Sequence, residues 1–209
     1  MFGIINYGVF ITSGMLLNIM PGADTLYILG CSISKGRKAG IVSALGVSTG
    51  CMVHTLMAAL GLSVILAKSA LAFNIIKYLG AGYLIYLGIR SFTSKADLFA
   101  QGGVCEADSP KKLYFQGITT NVLNPKVALF FLAFLPQFID PYNAYGPLPF
   151  LLLGFTFIAT GTIWCITLAV FSSQLAAKLN PGSSNILQKV TGMVFIGLGL
   201  NLLRAKLAR

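Results

Sequence analysis

Asn18-Ile19-Met20-Pro21-Gly22-Ala23-Asp24 sets a proline, a glycine and a carboxylate inside an apolar run extending from Phe2 to Gly30. Proline lacks the N–H that closes a helical turn and clashes with the turn before it, so a helix through this run must break there. The run also exceeds the roughly 20 apolar residues that cross a bilayer, which makes it a membrane span whose break leaves carbonyls needing partners inside the protein. The same grammar returns 104 residues later, where Asn121-Val122-Leu123-Asn124-Pro125-Lys126 interrupts the run from Leu113 to Ile139.

Outward from these two breaks, four more runs carry at most one charge each: Ala39 to Ala67, Ser69 to Ile89, Pro147 to Ala177 and Ile186 to Leu203. The reading is therefore an all-α integral membrane protein of six transmembrane helices. Composition agrees, because 56% of the 209 residues are hydrophobic and only 10% charged, against about a quarter in soluble domains. With a mean hydropathy of +0.82, a soluble enzyme is excluded. The N-terminus has no basic stretch or cleavage site of a signal peptide, so Phe2 onward reads as a retained first span. Cys31, Cys51, Cys105 and Cys165 lack metal or redox spacing and imply no disulfide framework.

The fifteen Lys and Arg face five Asp and Glu, an excess that reads as topology rather than as nucleic-acid binding. Lys35, Arg37 and Lys38 follow the first span, Arg90, Lys95, Lys111 and Lys112 flank the polar stretch Thr93 to Lys112, and Lys178 and Lys189 surround the fifth connection. These mark the cytoplasmic side and leave both termini outside. Lys68, Lys77 and the tail of Arg204, Lys206 and Arg209 count against this, and five spans with one re-entrant segment would move the N-terminus inside.

The halves repeat. Pro21 and Pro125 each have an asparagine before them (Asn18, Asn124), and Lys77-x-x-Gly80-x-x-Tyr83 parallels Lys189-x-x-Gly192-x-x-Phe195, with Leu87-Gly88 echoed by Leu198-Gly199 if one residue is skipped. Residues 1–92 and 113–209 read as two three-helix repeats joined by a cytoplasmic linker, 93–112. Three crossings leave the chain on the far side of the membrane, so the second copy inserts upside down, as in many secondary transporters.

Asp24 is the only carboxylate within a span and Lys126 sits at the matching break, which places opposite charges at one central cavity. Pro21, Gly22, Asn124 and Pro125 shape the breaks, and Asn18, Asn121, Thr25 and Tyr27 are nearest for reading a ligand. An Asp24–Lys126 ion pair that only fixes packing is the competing reading. Gly46, Gly50, His54 and Ala58 form a small-residue stripe for close helix approach; His54, the only histidine, either relays protons or makes an interhelical hydrogen bond. Gly46-Val47-Ser48-Thr49-Gly50 mimics a hydrolase nucleophile elbow, but an elbow needs a strand-to-helix turn, and in a helix Ser48 and His54 stand about 120° apart. No phosphate-binding loop supports ATP-driven pumping.

These same residues carry a family resemblance. Pro21-Gly22-Ala23-Asp24, Ser34-Lys35-Gly36-Arg37-Lys38-Ala39-Gly40, Lys77-Tyr78-Leu79-Gly80-Ala81-Gly82-Tyr83-Leu84-Ile85-Tyr86-Leu87-Gly88, Asn121 to Lys126, Phe130-Phe131 and Leu135-Pro136-Gln137-Phe138-Ile139 resemble the LysE/RhtB family of bacterial amino-acid exporters, most closely its homoserine/threonine/leucine branch. The family usually has a second proline where this chain has Ala23, which would make the first break less rigid. The resemblance covers nearly the whole chain and implies a carrier of the inner membrane that expels amino acids or their derivatives, driven by the proton gradient, without a cofactor or nucleic acid. A homo-oligomer, a non-transporting subunit and an ion channel stay open.

Overall fold

The computed structural model describes residues 2–64, 70–93, 105, 109–140, 142–178 and 181–204. Lys68, Lys206, Arg209 and most of the 93–112 linker lie outside them. The described residues are nearly all helical and form no strand; a single antiparallel bridge joins Ile4 to Ile139.

Both expected breaks are present. Helix α1 (Tyr7–Ile19) and helix α2 (Ala23–Lys35) meet at 49° across Pro21-Gly22. Helix α3 runs from Arg37 to Met57 and continues through a π-helical turn, Ala58–Leu62; helix α4 spans Ala70–Thr93. Helix α5 (Pro110–Val122) meets helix α6 (Pro125–Leu129), which continues as a π-helical stretch, Phe130–Phe134, and a 3-10 turn, Leu135–Phe138, with a bend of 47° at the second break. Helices α7 (Leu148–Lys178) and α8 (Pro181–Arg204) complete the chain. By length and apolarity α3 and α7 can each cross a bilayer, and each bent pair passes the same test when taken as one span. At 24 residues, α4 and α8 are about 36 Å long.

Glycine sets how closely these helices pack. A side chain on Gly46 would land on the carbonyl oxygen of Tyr114, and one on Gly117 would come within 2.7 Å of the carbonyl oxygen of Ser43, so α3 and α5 run side by side in backbone contact. The expected small-residue stripe on α3 is this contact. Helices α4 and α8 pair in the same manner, antiparallel, with Gly88 against Gly192 and Gly199 against Ala81. Two apolar cores result. One is built on Phe10, Phe130, Phe134 and Phe157, with Phe130 and Phe157 stacked at 4.4 Å; the other gathers Ile28, Ala44, Val47, Leu113 and Ala169. Side chains such as Val9, Leu16, Leu60, Leu79 and Ile163 remain exposed, as a lipid-facing surface requires.

The cysteine expectation needs correcting. Cys31 on α2 and Cys105 in the linker form a disulfide, buried in the second core. A sequence separation of 74 hides the pairing, which exists because Cys105 is packed against α2. Cys51 and Cys165 are free.

Candidate functional site

The site follows from what each proline leaves undone. In a continuous helix the N–H of residue 21 would reach the carbonyl of Leu17, and Pro21 has none to give. The Lys126 ammonium takes its place, donating to Leu17 O at 3.1 Å and to Met20 O at 3.0 Å. By the same arithmetic Pro125 cannot reach the carbonyl of Asn121, which accepts instead from the backbone N–H of Asn124 at 2.9 Å and, as a second donor, from the Nε2–H of His54 at 3.1 Å. His54 is buried and stacks on Phe131. Gly22 makes room for the lysine, since a Cβ there would sit 3.1 Å from the ammonium nitrogen.

Asp24 occupies the first turn of α2, where the positive end of the helix dipole favours an anion. Its Oδ2 accepts from the side-chain amides of Asn121 and Asn124, both at 2.9 Å. Asn124 works twice, because its Oδ1 also accepts from the backbone N–H of Lys126 as the N-cap of α6. That cap consumes the first free backbone amide of α6. Among the described residues neither charge is hydrogen-bonded to the other; each is held by the opposite break, so the expected meeting of charges becomes a shared wall.

The wall encloses a cavity of about 40 Å³, lined by Asp24, Lys126, Asn18, Thr25 and Asn121 among others. That is room for a water molecule or so and is smaller than any amino acid. Asp24 Oδ1 and Asn121 Oδ1 are buried without a hydrogen-bond partner. An uncompensated buried acceptor costs roughly 1–3 kcal/mol, so two of them side by side suit a ligand that donates, an ammonium above all. Among the described residues no group of three or more His, Cys, Asp or Glu could hold a metal ion.

Residues 15–206 match the family of LysE type translocators. The chain belongs to the LysE family. It is a multi-pass protein of the bacterial cytoplasmic membrane, and its family is one of transporters. It is 37% identical over 202 residues to the uncharacterized membrane protein YrhP of Bacillus subtilis (strain 168), covering 91% of this chain and 95% of that one. An uncharacterized membrane protein of Vibrio cholerae is 30% identical over 198 residues, covering 94% and 96%. The homoserine/homoserine lactone efflux protein of Salmonella typhimurium is also 30% identical over 198 residues, covering 94% and 95%. No solved structure matches.

In this LysE-family chain the expected residues divide. Asp24, Lys126, Asn18, Asn121 and Thr25 line the cavity; Pro21, Gly22, Asn124, Pro125 and His54 stand behind it and hold its geometry. Tyr27 points elsewhere, donating its hydroxyl to Leu113 O at 2.6 Å. Sequence reasoning missed the far wall, made by Ser48 and Cys51 of α3 and by Phe157, Gly161, Thr162 and Cys165 of α7. The signal for it was the cluster Thr160-Gly161-Thr162 in the middle of an otherwise apolar helix.

Proposed function

We propose that the protein exports small neutral amino acids of the homoserine, threonine or leucine kind, in exchange for protons, by alternating access of two inverted three-helix repeats. One observation carries this reading: an acid and a base from two equivalent helix breaks line one cavity, each secured by the other break and not neutralised by its opposite. A zwitterion fits that inventory. Its ammonium meets Asp24 and the bare Asn121 Oδ1, and its carboxylate meets Lys126. A cationic side chain would need a further buried acid, at several kcal/mol if unpaired, and the spans hold none. The likeness to the homoserine/homoserine lactone efflux protein of Salmonella typhimurium supports the substrate class. A channel would instead use rings of like charge about an oligomer axis.

The pairing of α4 with α8 supports the repeat. Gly88 stands to Gly199 as Ala81 stands to Gly192, a constant step of 111 residues. Exchanging the repeats therefore turns the Gly88–Gly192 contact into Ala81–Gly199, which is also made. The bridge between Ile4 and Ile139 puts the N-terminal segment beside the Asp140 to Gly146 loop, in keeping with both being external and the 93–112 linker cytoplasmic.

Export of labelled amino acids from proteoliposomes holding the purified protein tests the proposal. Transport of threonine or homoserine that stops when the proton gradient is collapsed is expected. Preference for lysine or arginine overturns the substrate class, indifference to the gradient overturns the coupling, and no transport at all favours a subunit that needs a partner.

A further inference from the structure

In the same cavity as the charges, Ser48 of α3 and Thr162 of α7 touch through their hydroxyls at 2.7 Å. The direction of that bond follows from its neighbour. Ser48 donates its single hydroxyl hydrogen to the carbonyl of Ala44 at 2.9 Å, and a carbonyl can only accept. Thr162 is therefore the donor to Ser48, and its own hydrogen is spent as well. What the pair leaves for the cavity is lone pairs alone, a neutral wall that accepts hydrogen bonds and offers none.

We infer that Ser48 and Thr162 are specificity-determining residues that favour a substrate with a short, hydroxyl-bearing side chain over one of equal size without a donor. This inference rests on the amino-acid reading above and deepens it. Once the helices part enough to admit an amino acid and its zwitterion is held at Asp24, Asn121 and Lys126, the side chain is the part left to meet Ser48 and Thr162. A hydroxyl there donates to Thr162 Oγ1. A methyl in its place leaves those lone pairs bare, while a side-chain ammonium finds acceptors but no counter-charge. The two hydroxyls already satisfy their own hydrogens in a chain ending at Ala44, so the discrimination is graded: on the order of tenfold, the worth of one net hydrogen bond.

The test is the ratio of initial export rates of homoserine and norvaline, in which a methyl replaces the hydroxyl, from proteoliposomes containing equal amounts of inserted protein. The unaltered protein is expected to prefer homoserine by on the order of tenfold. Thr162→Val, which keeps the shape and removes the hydroxyl, brings the ratio near one. Thr162→Ser restores the preference, and a packing role alone would not move the ratio in this pattern. Ser48→Ala keeps the preference, because Thr162 then donates its freed hydrogen to the substrate hydroxyl, which accepts as well as donates, while a methyl leaves that hydrogen bare. An unchanged ratio in Thr162→Val, or an unaltered protein that prefers norvaline, overturns the inference while leaving the amino-acid reading in place. Export of neither compound by the unaltered protein overturns that reading, and this inference with it.

Discussion

At Pro21 the stranded carbonyl of Leu17 is reached by a lysine from the second half of the chain, whereas at Pro125 the carbonyl of Asn121 keeps a local donor, the N–H of Asn124, and takes a histidine from the first half as its second. The two breaks also differ in how they are closed. The second is tight: Asn124 caps α6 with its side chain, and only Leu123 and Asn124 lie between the helical segments. The first has Met20, Pro21 and Gly22 between its helices, and Gly22 offers no side chain to cap α2. The same loss of an N–H is thus repaired at one place by local chemistry with an imidazole behind it. At the other it is repaired by a charge that also faces the cavity. Whatever draws Lys126 toward a ligand carboxylate weakens its hold on α1, so the first break is the one whose geometry is linked to occupancy.

The sharpest way to break this comparison is to remove the charges. Lys126→Met is expected to abolish export, by about a hundredfold or more, because the substrate carboxylate loses its counter-charge and the Leu17 and Met20 carbonyls lose their donor. Asp24→Asn is expected to be comparably severe, with membrane insertion checked by immunoblot in both. Next in size is His54→Leu, expected to cost about tenfold in export rate through the lost Asn121 bond. His54→Gln, with an amide N–H for the same carbonyl, should recover most of that rate and leave its pH dependence unmoved. A changed pH profile in His54→Gln would make the histidine a proton carrier and undo the contrast between the breaks. Asn124→Ala removes a cap and one donor to Asp24, and the cap by itself is worth about 1 kcal/mol, a roughly fivefold loss read as export rate at saturating substrate. The smallest effect concerns α2 and the linker: mass spectrometry of denatured, maleimide-treated protein should count two adducts before reduction and four after it. In intact cells an impermeant maleimide should not reach Cys105 even after reduction, given a cytoplasmic linker; labelling there would reverse the topology.

Apolar run length, the two prolines and the placement of Lys and Arg are local properties, and a bilayer leaves so few ways to satisfy a backbone that they sufficed to announce an all-α membrane protein with helices broken at Pro21 and Pro125. Asp24 and Lys126 were legible as site residues for the same reason, since a charge inside a span is costly enough to be noticed alone. Which atoms those charges would hold was not legible. That Lys126 reaches Leu17, that His54 answers Pro125, that Tyr27 turns away and that Ser48 meets Thr162 depend on how helices distant in the chain are set against one another. The pairing of Cys31 with Cys105 across 74 residues is of the same kind. A sequence states which backbone groups a proline will strand; only the packed helices decide which side chain arrives to satisfy them, because hydrogen bonds act over about 3 Å and that proximity is a property of the tertiary structure.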